Sequence, residues 1–317
     1  MRKILVTGGL GFIGSNFIRY LRECAGYNGR IINVDAMTYA ADEENLKGLD
    51  LGDFETHKAW INDDSMMDAI IRNEMPDVIV NFAAESHVDR SIESSAPFVT
   101  SNIVGVQVLL DKAVKYGVER FVQISTDEVY GDLGWDSRPS IEGDVLRPSS
   151  PYSASKAAAE HMVNAYARTH GLDTVITRCS NNYGPRQYPE KLVPVVIRKA
   201  KAGEKIPVYG DGENVRDWIY VTDHCRGIWK AIIEGESGET YNFGGSNEVR
   251  NIDLVDMILG IVGSGEIEFV KDRPGHDLRY SVGCTKSEAV FGWRPLVDFN
   301  QGMQETVDWY NSSKVAS

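Results

Sequence analysis

Short apolar runs alternate with longer amphipathic stretches through the first half of the chain. The runs Lys3–Thr7, Ile31–Asp35, Phe54–Ala59, Val78–Phe82, Phe121–Ser125 and Thr174–Arg178 have the length and composition of strands. Between them, helical spacing of apolar positions recurs near Phe12–Glu23, Ser65–Asn73, Pro97–Tyr116 and Tyr152–His170. This rhythm predicts parallel strands joined by right-handed helical crossovers, an α/β doubly wound sheet of the Rossmann type. Past Ser180 the rhythm breaks, and Pro185, Pro189, Pro194 and Pro207 punctuate the stretch with basic residues among them. A strand–helix unit returns at Trp218–Glu234 and Thr240–Phe243, followed by a mixed tail. The expected organisation is a first domain of residues 1–180 plus about 215–245, and a smaller, discontinuous mixed α/β lobe of about 181–214 plus 246–317. No internal repeat or low-complexity tract interrupts it.

Composition narrows the classes of partner. Across 317 residues, 33 basic residues stand against 46 acidic ones, a net charge of −13. That balance excludes a continuous electrostatic footprint for nucleic acid, and an anionic small molecule would need a local basic cluster. Cys24, Cys179, Cys225 and Cys284 form no CxxC pair, and no histidine stands at metal-ligand spacing. Reduced thiols, no metal and a cytoplasmic location are expected. The opening MRKILVTGG carries too short an apolar run for a signal peptide or a membrane span.

The stretch VTGGLGFIGSNF places Gly9, Gly11 and Gly14 in GxGxxG spacing, with Gly8 giving GxxGxxG as well. Glycines at a strand end often make only a turn. Here they follow one strand and open the helix at Phe12, where the backbone can approach a pyrophosphate and free amides can meet its charge. Asp35 ends the second strand, 21 residues beyond Gly14. A carboxylate there accepts from ribose hydroxyls and repels a 2′-phosphate, so NAD is expected rather than NADP.

PYSASKAAAEH supplies Tyr152 and Lys156, four residues apart and on one helix face. A phenol ionises near ~10. A neighbouring ammonium and a nicotinamide cation are expected to lower that value and make Tyr152 a base. Together with the glycine turn, Asp35 and Thr126 at the end of a strand, this arrangement resembles the extended short-chain dehydrogenase/reductases over essentially the whole chain. Within that superfamily, ISTDEVYG is informative. In 4-epimerases the two positions after the Ser or Thr are usually small or neutral, whereas here they are Asp127 and Glu128. Two neighbouring carboxylates suit an elimination, provided that their environments push their pKa values apart. NFAAESHVDRSI, STDEVYGD, SNNYGPRQYPEKLVP, NVRDWIYVTDH and RPGHDLRY together resemble the dTDP-glucose 4,6-dehydratase family.

That resemblance implies a mechanism. Tyr152 takes the proton of the glucose C4 hydroxyl, which Thr126 hydrogen-bonds, while hydride passes from C4 to NAD. Glu128 then removes the C5 proton, Asp127 protonates the departing C6 hydroxyl, and hydride returns to C6. NAD, being regenerated, stays bound. The matching cofactor positions are Gly8, Gly11, Phe12, Ile13, Gly14, Asp35, Trp60, Ile61, Ala83, Ala84, Ser101, Tyr152, Lys156 and Asn182. The matching substrate positions are Ser86, His87, Thr126, Asn181, Lys191, Leu192, Pro207, Val208, Tyr209, Arg216, Asn251, Arg273 and His276. Arg216 and Arg273 are expected to meet the diphosphate, Pro207 and Tyr209 to cover the base, and His87 and His276 to form hydrogen bonds rather than coordinate metal.

Trp60-Ile61 stands where the family commonly has Asp-Ile near the adenine, and AADEEN (40–45) is more acidic than its usual run. The resemblance further implies a homodimer built on the helices Pro97–Tyr116 and Tyr152–His170, the second carrying Ala154, Ala157, Ala158 and Ala165. Other substrates remain open: UDP-glucose, the substrate of a 4-epimerase, or UDP-glucuronate for a decarboxylase that shares RPGHD. Thymine differs from uracil by one methyl, worth only ~1–3 kcal/mol of discrimination. A non-catalytic nucleotide sensor is a more distant alternative, since such proteins typically lose the Tyr or Lys.

Overall fold

In the computed structural model, which describes residues 1–312, the six apolar runs become β1 (Lys3–Thr7), β2 (Arg30–Asp35), β3 (Phe54–Lys58), β4 (Val78–Asn81), β5 (Arg120–Thr126) and β6 (Thr174–Cys179). β4 and β6 are buried along their entire length, as strands covered on both faces must be. The chain then forms three further strands, β7 (Asn181–Tyr183), β8 (Lys205–Tyr209) and β9 (Val215–Tyr220), before β10 (Glu239–Phe243) pairs with β6. β11 (Glu248–Arg250) and β12 (Glu266–Val270) complete the set. The large sheet has seven strands in the order β10-β6-β5-β4-β1-β2-β3, all parallel. Its order reverses between β1 and β4. Such a switch point leaves a crevice beyond the carboxyl ends of the strands, where a ligand can enter.

Two apolar layers hold this sheet. Phe17 and Leu21 of the helix Phe12–Glu23 pack with Ile228 and Ile232 of the helix Val221–Glu234 on one face. Ile71, Leu109 and Val163, from the helices Asp64–Glu74, Gly105–Tyr116 and Pro151–His170, cover the other. Each such side chain removed from water contributes about 1.5–3 kcal/mol. A third cluster, with Tyr183, Trp218, Leu254 and Met303, builds the smaller lobe.

Three local features differ from the sequence expectation. β9 was expected to return to the large sheet, but it pairs with β7 and β11 in a separate three-stranded sheet. The return therefore begins at Val221, in the helix that follows β9. The helical run from Ala96 to Tyr116 is not one α-helix, because Val99–Val104 form a wide π-type turn before the helix resumes at Gly105. Val208, expected among the substrate positions, is 3% exposed and its side chain packs in the core of the smaller lobe.

Candidate active site

β5 carries its last side chains to the carboxyl end of the sheet. Thr126 is extended there, and its hydroxyl accepts the Glu128 N–H at 3.3 Å, which starts a single tight turn over Asp127–Tyr130. That turn ends the strand and swings both carboxylates into a cleft of about 360 Å³. The same hydroxyl donates to Asp127 Oδ1 at 3.2 Å, while Oδ2 is buried without a partner. Asp127 is only 3% exposed. Burial pushes its pKa well above the ordinary carboxylate range, and the nearby charges of Glu128 and Asp217 add to the shift. Burial also raises Glu128, but Lys191, Arg216 and Arg273 pull it back. Burial raises both acids and Arg216 opposes it at both, but Asp127 also feels Glu128 and Asp217, whereas Glu128 also feels Lys191 and Arg273.

The helix Pro151–His170 presents Tyr152 and Lys156 to the same cleft. Its start is fixed by a reciprocal cap between Ser150 and Ser153 and by Pro151 in the first turn. Lys156 Nζ donates to the Ile124 carbonyl at 2.6 Å. Burial lowers its pKa to about 8, with Glu160 and Cys179 opposing. Tyr152 shows the reverse of the expected shift: burial, Glu128, Cys179 and Asp127 push its phenol well above the ordinary value. The ammonium that was to lower it is engaged by the β5 backbone instead.

The glycine turn forms one wall of the cleft. Gly8 has φ +69°, and a Cβ there would meet the Ala83 amide nitrogen at 2.9 Å, so no larger residue fits. At Gly11 a Cβ would meet only the Gly8 carbonyl at 3.4 Å, so its other side opens onto the cleft. Asp35 receives the Leu10 and Met37 amides at 3.0 and 2.8 Å, which locks the carboxylate beside the turn. Ser125 Oγ, Asn181 Oδ1, Gln187 Oε1 and Trp218 Nε1 line the cleft, are buried, and have no protein partner. Buried polar atoms are normally satisfied, so this concentration points to a polar ligand. The donor set and the shape fit a dinucleotide lying along Gly8–Gly14 and Asp35.

A strap from the smaller lobe crosses this region. Asn16 Nδ2, on the helix after the glycine turn, donates to the Pro185 carbonyl at 3.0 Å. Arg186 Nε reaches the Asn45 carbonyl at 3.1 Å, and Lys191 Nζ the Ser86 carbonyl at 2.7 Å.

All fourteen positions expected to touch the cofactor line the cleft, and so do Ser86, Thr126, Asn181, Lys191 and Leu192. Trp60 is half exposed at its edge, with Ile61 buried beneath. His87, Pro207, Val208, Tyr209, Arg216, Asn251, Arg273 and His276 are not part of its walls. Arg216 is held by the carbonyls of Val215 (2.7 Å) and Asp277 (2.9 Å), with its guanidinium 4.4 Å from the centre of the Tyr280 ring. Arg273 donates to Asp89 at 3.0 Å, and His276 pairs with Asp272 at 2.7 Å. His87 stands 3.9 Å from Glu190. The Asn251 amide bonds Asn214, leaving its side-chain oxygen buried and unpartnered. Sequence reasoning missed Glu85, Cys179, Tyr188, Glu190 and Trp218, which also line the cleft. Glu85 and Glu190 lay inside quoted motifs, and their charge was the available signal.

The chain matches the model of the GDP-mannose 4,6 dehydratase family over residues 5–306. The chain belongs to that family. It is 49% identical over 310 residues to the low-salt glycan biosynthesis protein Agl12 of Haloferax volcanii, covering 97% of this chain and 98% of that protein. It is 44% identical to a dTDP-glucose 4,6-dehydratase of Escherichia coli, covering 98% and 94%. Its structure matches that of DesIV, a dTDP-glucose 4,6-dehydratase from Streptomyces venezuelae solved with NAD bound, at a TM-score of 0.95, 44% identity and 98% coverage of both chains. Family members of this kind share the doubly wound sheet described above. Among the described residues, no helix is long and apolar enough to cross a membrane.

Proposed function

We propose that this protein removes water from dTDP-glucose to give dTDP-4-keto-6-deoxyglucose, with NAD as a bound cofactor. The observation that carries the reading is the pair Asp127 and Glu128, both turned into the cleft that holds Tyr152, with Asp127 enclosed and biased towards its protonated form. Sequence kinship with named dTDP-glucose 4,6-dehydratases and likeness to the NAD complex of DesIV support it.

Thr126 hydrogen-bonds the C4 hydroxyl and Tyr152 accepts its proton, a role that requires the positive charge of the bound cofactor beside the phenol to offset the burial and acids that hold its pKa up. Bound NAD supplies the acceptor for the C4 hydride and the donor that returns it to C6. The C4 carbonyl acidifies the C5 hydrogen, which Glu128 removes; the cations around Glu128 offset part of the burial that raises its pKa. Asp127 gives its proton to the C6 oxygen, which leaves as water. Glu128 then returns its proton to C5. Residues 1–180 with about 221–245 hold the cofactor, and about 181–220 with 246–312 hold the nucleotide. Arg216 and Arg273 serve the diphosphate, where a guanidinium fork suits paired oxygens.

The protein is further read as a homodimer. Ala154, Ala158, His161 and Ala165 follow helical spacing on the outward side of the helix Pro151–His170, while Ala157 packs inward. Val99 and Val104, 46% and 42% exposed, extend this surface. The four cysteines are free, in keeping with the cytoplasm.

The test incubates the protein with dTDP-glucose and UDP-glucose in competition and follows products by mass spectrometry. The expected result is a keto product lighter by one water, formed faster from dTDP-glucose. Epimerised hexose without loss of water, or carbon dioxide released from UDP-glucuronate, overturns the reading.

A further inference from the structure

The two arginines assigned to the diphosphate are held by different means. Arg216 is anchored by carbonyls of its own lobe and by the Tyr280 ring. Arg273, in the loop after β12, has a single side-chain acceptor among the described residues: Asp89 Oδ1, 3.0 Å away and 184 residues earlier. Asp89 lies in the short helix Val88–Glu93, directly after the cleft-lining Ala83–Ser86, so the bond crosses from one lobe to the other. Its second oxygen accepts the Tyr209 hydroxyl at 3.1 Å. With both oxygens engaged, the carboxylate is itself fixed. Arg273 Nε is buried without an acceptor, and among the described residues Nη2 has no protein partner either, so only Nη1 of the guanidinium is engaged. Arg273 is also near enough to Glu128 for its charge to act on that carboxylate.

We propose that Asp89 is a positioning residue for nucleotide binding: it clamps Arg273 across the lobe boundary so that the free edge of the guanidinium faces the diphosphate. Nucleotide affinity then depends on an anion of the cofactor lobe that does not touch the nucleotide. An arginine released from this clamp must be immobilised at the moment of binding, and that ordering lowers affinity by about three- to tenfold. The effect belongs to the diphosphate alone, since a nucleoside without phosphates does not use Arg273. This inference rests on the sugar-nucleotide reading given above.

The experiment titrates dTDP and thymidine into the NAD-loaded protein by calorimetry, for the parent, Asp89→Asn, Arg273→Gln and the double variant, with melting temperatures alongside. Asp89→Asn is expected to weaken dTDP by about three- to tenfold and to leave thymidine unchanged. In the Arg273→Gln background it should have no further effect on dTDP, because Asn keeps an oxygen to accept the Tyr209 hydroxyl and the lost charge acts through Arg273. Equal or tighter dTDP binding by Asp89→Asn overturns the proposal, and would mark Asp89 as a competing anion. So do losses that add in the double variant, or an equal loss for thymidine. A parent protein that binds neither ligand and does not turn over dTDP-glucose overturns the sugar-nucleotide reading, and this proposal with it. Parent binding with an unaffected Asp89→Asn overturns this proposal alone.

Discussion

Replacing Asp127 by Asn keeps the shape of the side chain and removes its acidic proton. Protonation of a leaving group by a positioned acid contributes a factor of about 10²–10⁴, or about 3–5 kcal/mol of barrier. The structure favours the upper part of that range. At 3% exposure, with Oδ2 enclosed and unpartnered, Asp127 leaves little room for a water molecule to stand in as donor. The substitution touches elimination and not oxidation, because Tyr152 and Thr126 remain. In a single turnover, cofactor reduction should proceed at the parent rate and the reduced form should persist, while keto-deoxy product slows by about 10²–10⁴. Stability should move in the opposite direction. Burial raises the folded-state pKa above its ordinary 3.8, so the folded protein binds this proton more tightly than the unfolded chain. The burial cost is absent below the unfolded value and grows as pH rises through the window above it. The Asn variant should therefore melt higher than the parent at neutral pH and lose that advantage near about pH 3. Product formation near the parent rate, loss of both half-reactions, or a lower melting temperature at neutral pH would refute the reasoning.

Two further perturbations probe the frame. Glu160 is 0% exposed and directs both oxygens at Arg178, at 2.6–3.1 Å. Arg178→Met strands that carboxylate and should cost about 3–5 kcal/mol in urea unfolding, a loss under about 1 kcal/mol being incompatible with the pair's enclosure. Ala154→Arg places a long charged side chain on the outward alanine face and should convert a dimer to a monomer in light scattering; a parent protein that already scatters as a monomer refutes the dimer.

How far the sequence discloses this molecule depends on the range of the forces involved. The strands of the large sheet are legible because burial on both faces demands unbroken apolar runs, as at Val78–Val80. The glycine turn is legible because Gly8 and Gly14 answer local steric demands. Asp127 and Glu128 stand out because a buried strand rarely ends in two acids. The partner of β9 is not legible, since its apolar pattern suits either sheet and its pairing depends on β7 and β11, more than 25 residues away on either side. The wide turn at Val99–Val104 escapes for a similar reason, because the residues read as plain helix and the local widening is set by packing. Asn102 shows that packing, bonding both the Glu85 backbone and Ser155. The direction of the Tyr152 shift escaped because side-chain spacing on a helix says nothing of where Lys156 Nζ finds its acceptor.

The bonds from Asn16 to Pro185 and from Arg186 to Asn45 tie the smaller lobe down over the rim of the glycine wall. Were the dinucleotide of the proposed reaction seated beneath them, it would leave only after both ties part, and exchange would be slow compared with a cycle that hands the borrowed electrons straight back. Throughput would then follow the supply of sugar, and the ratio of oxidised to reduced dinucleotide in the surrounding fluid would have little purchase on it.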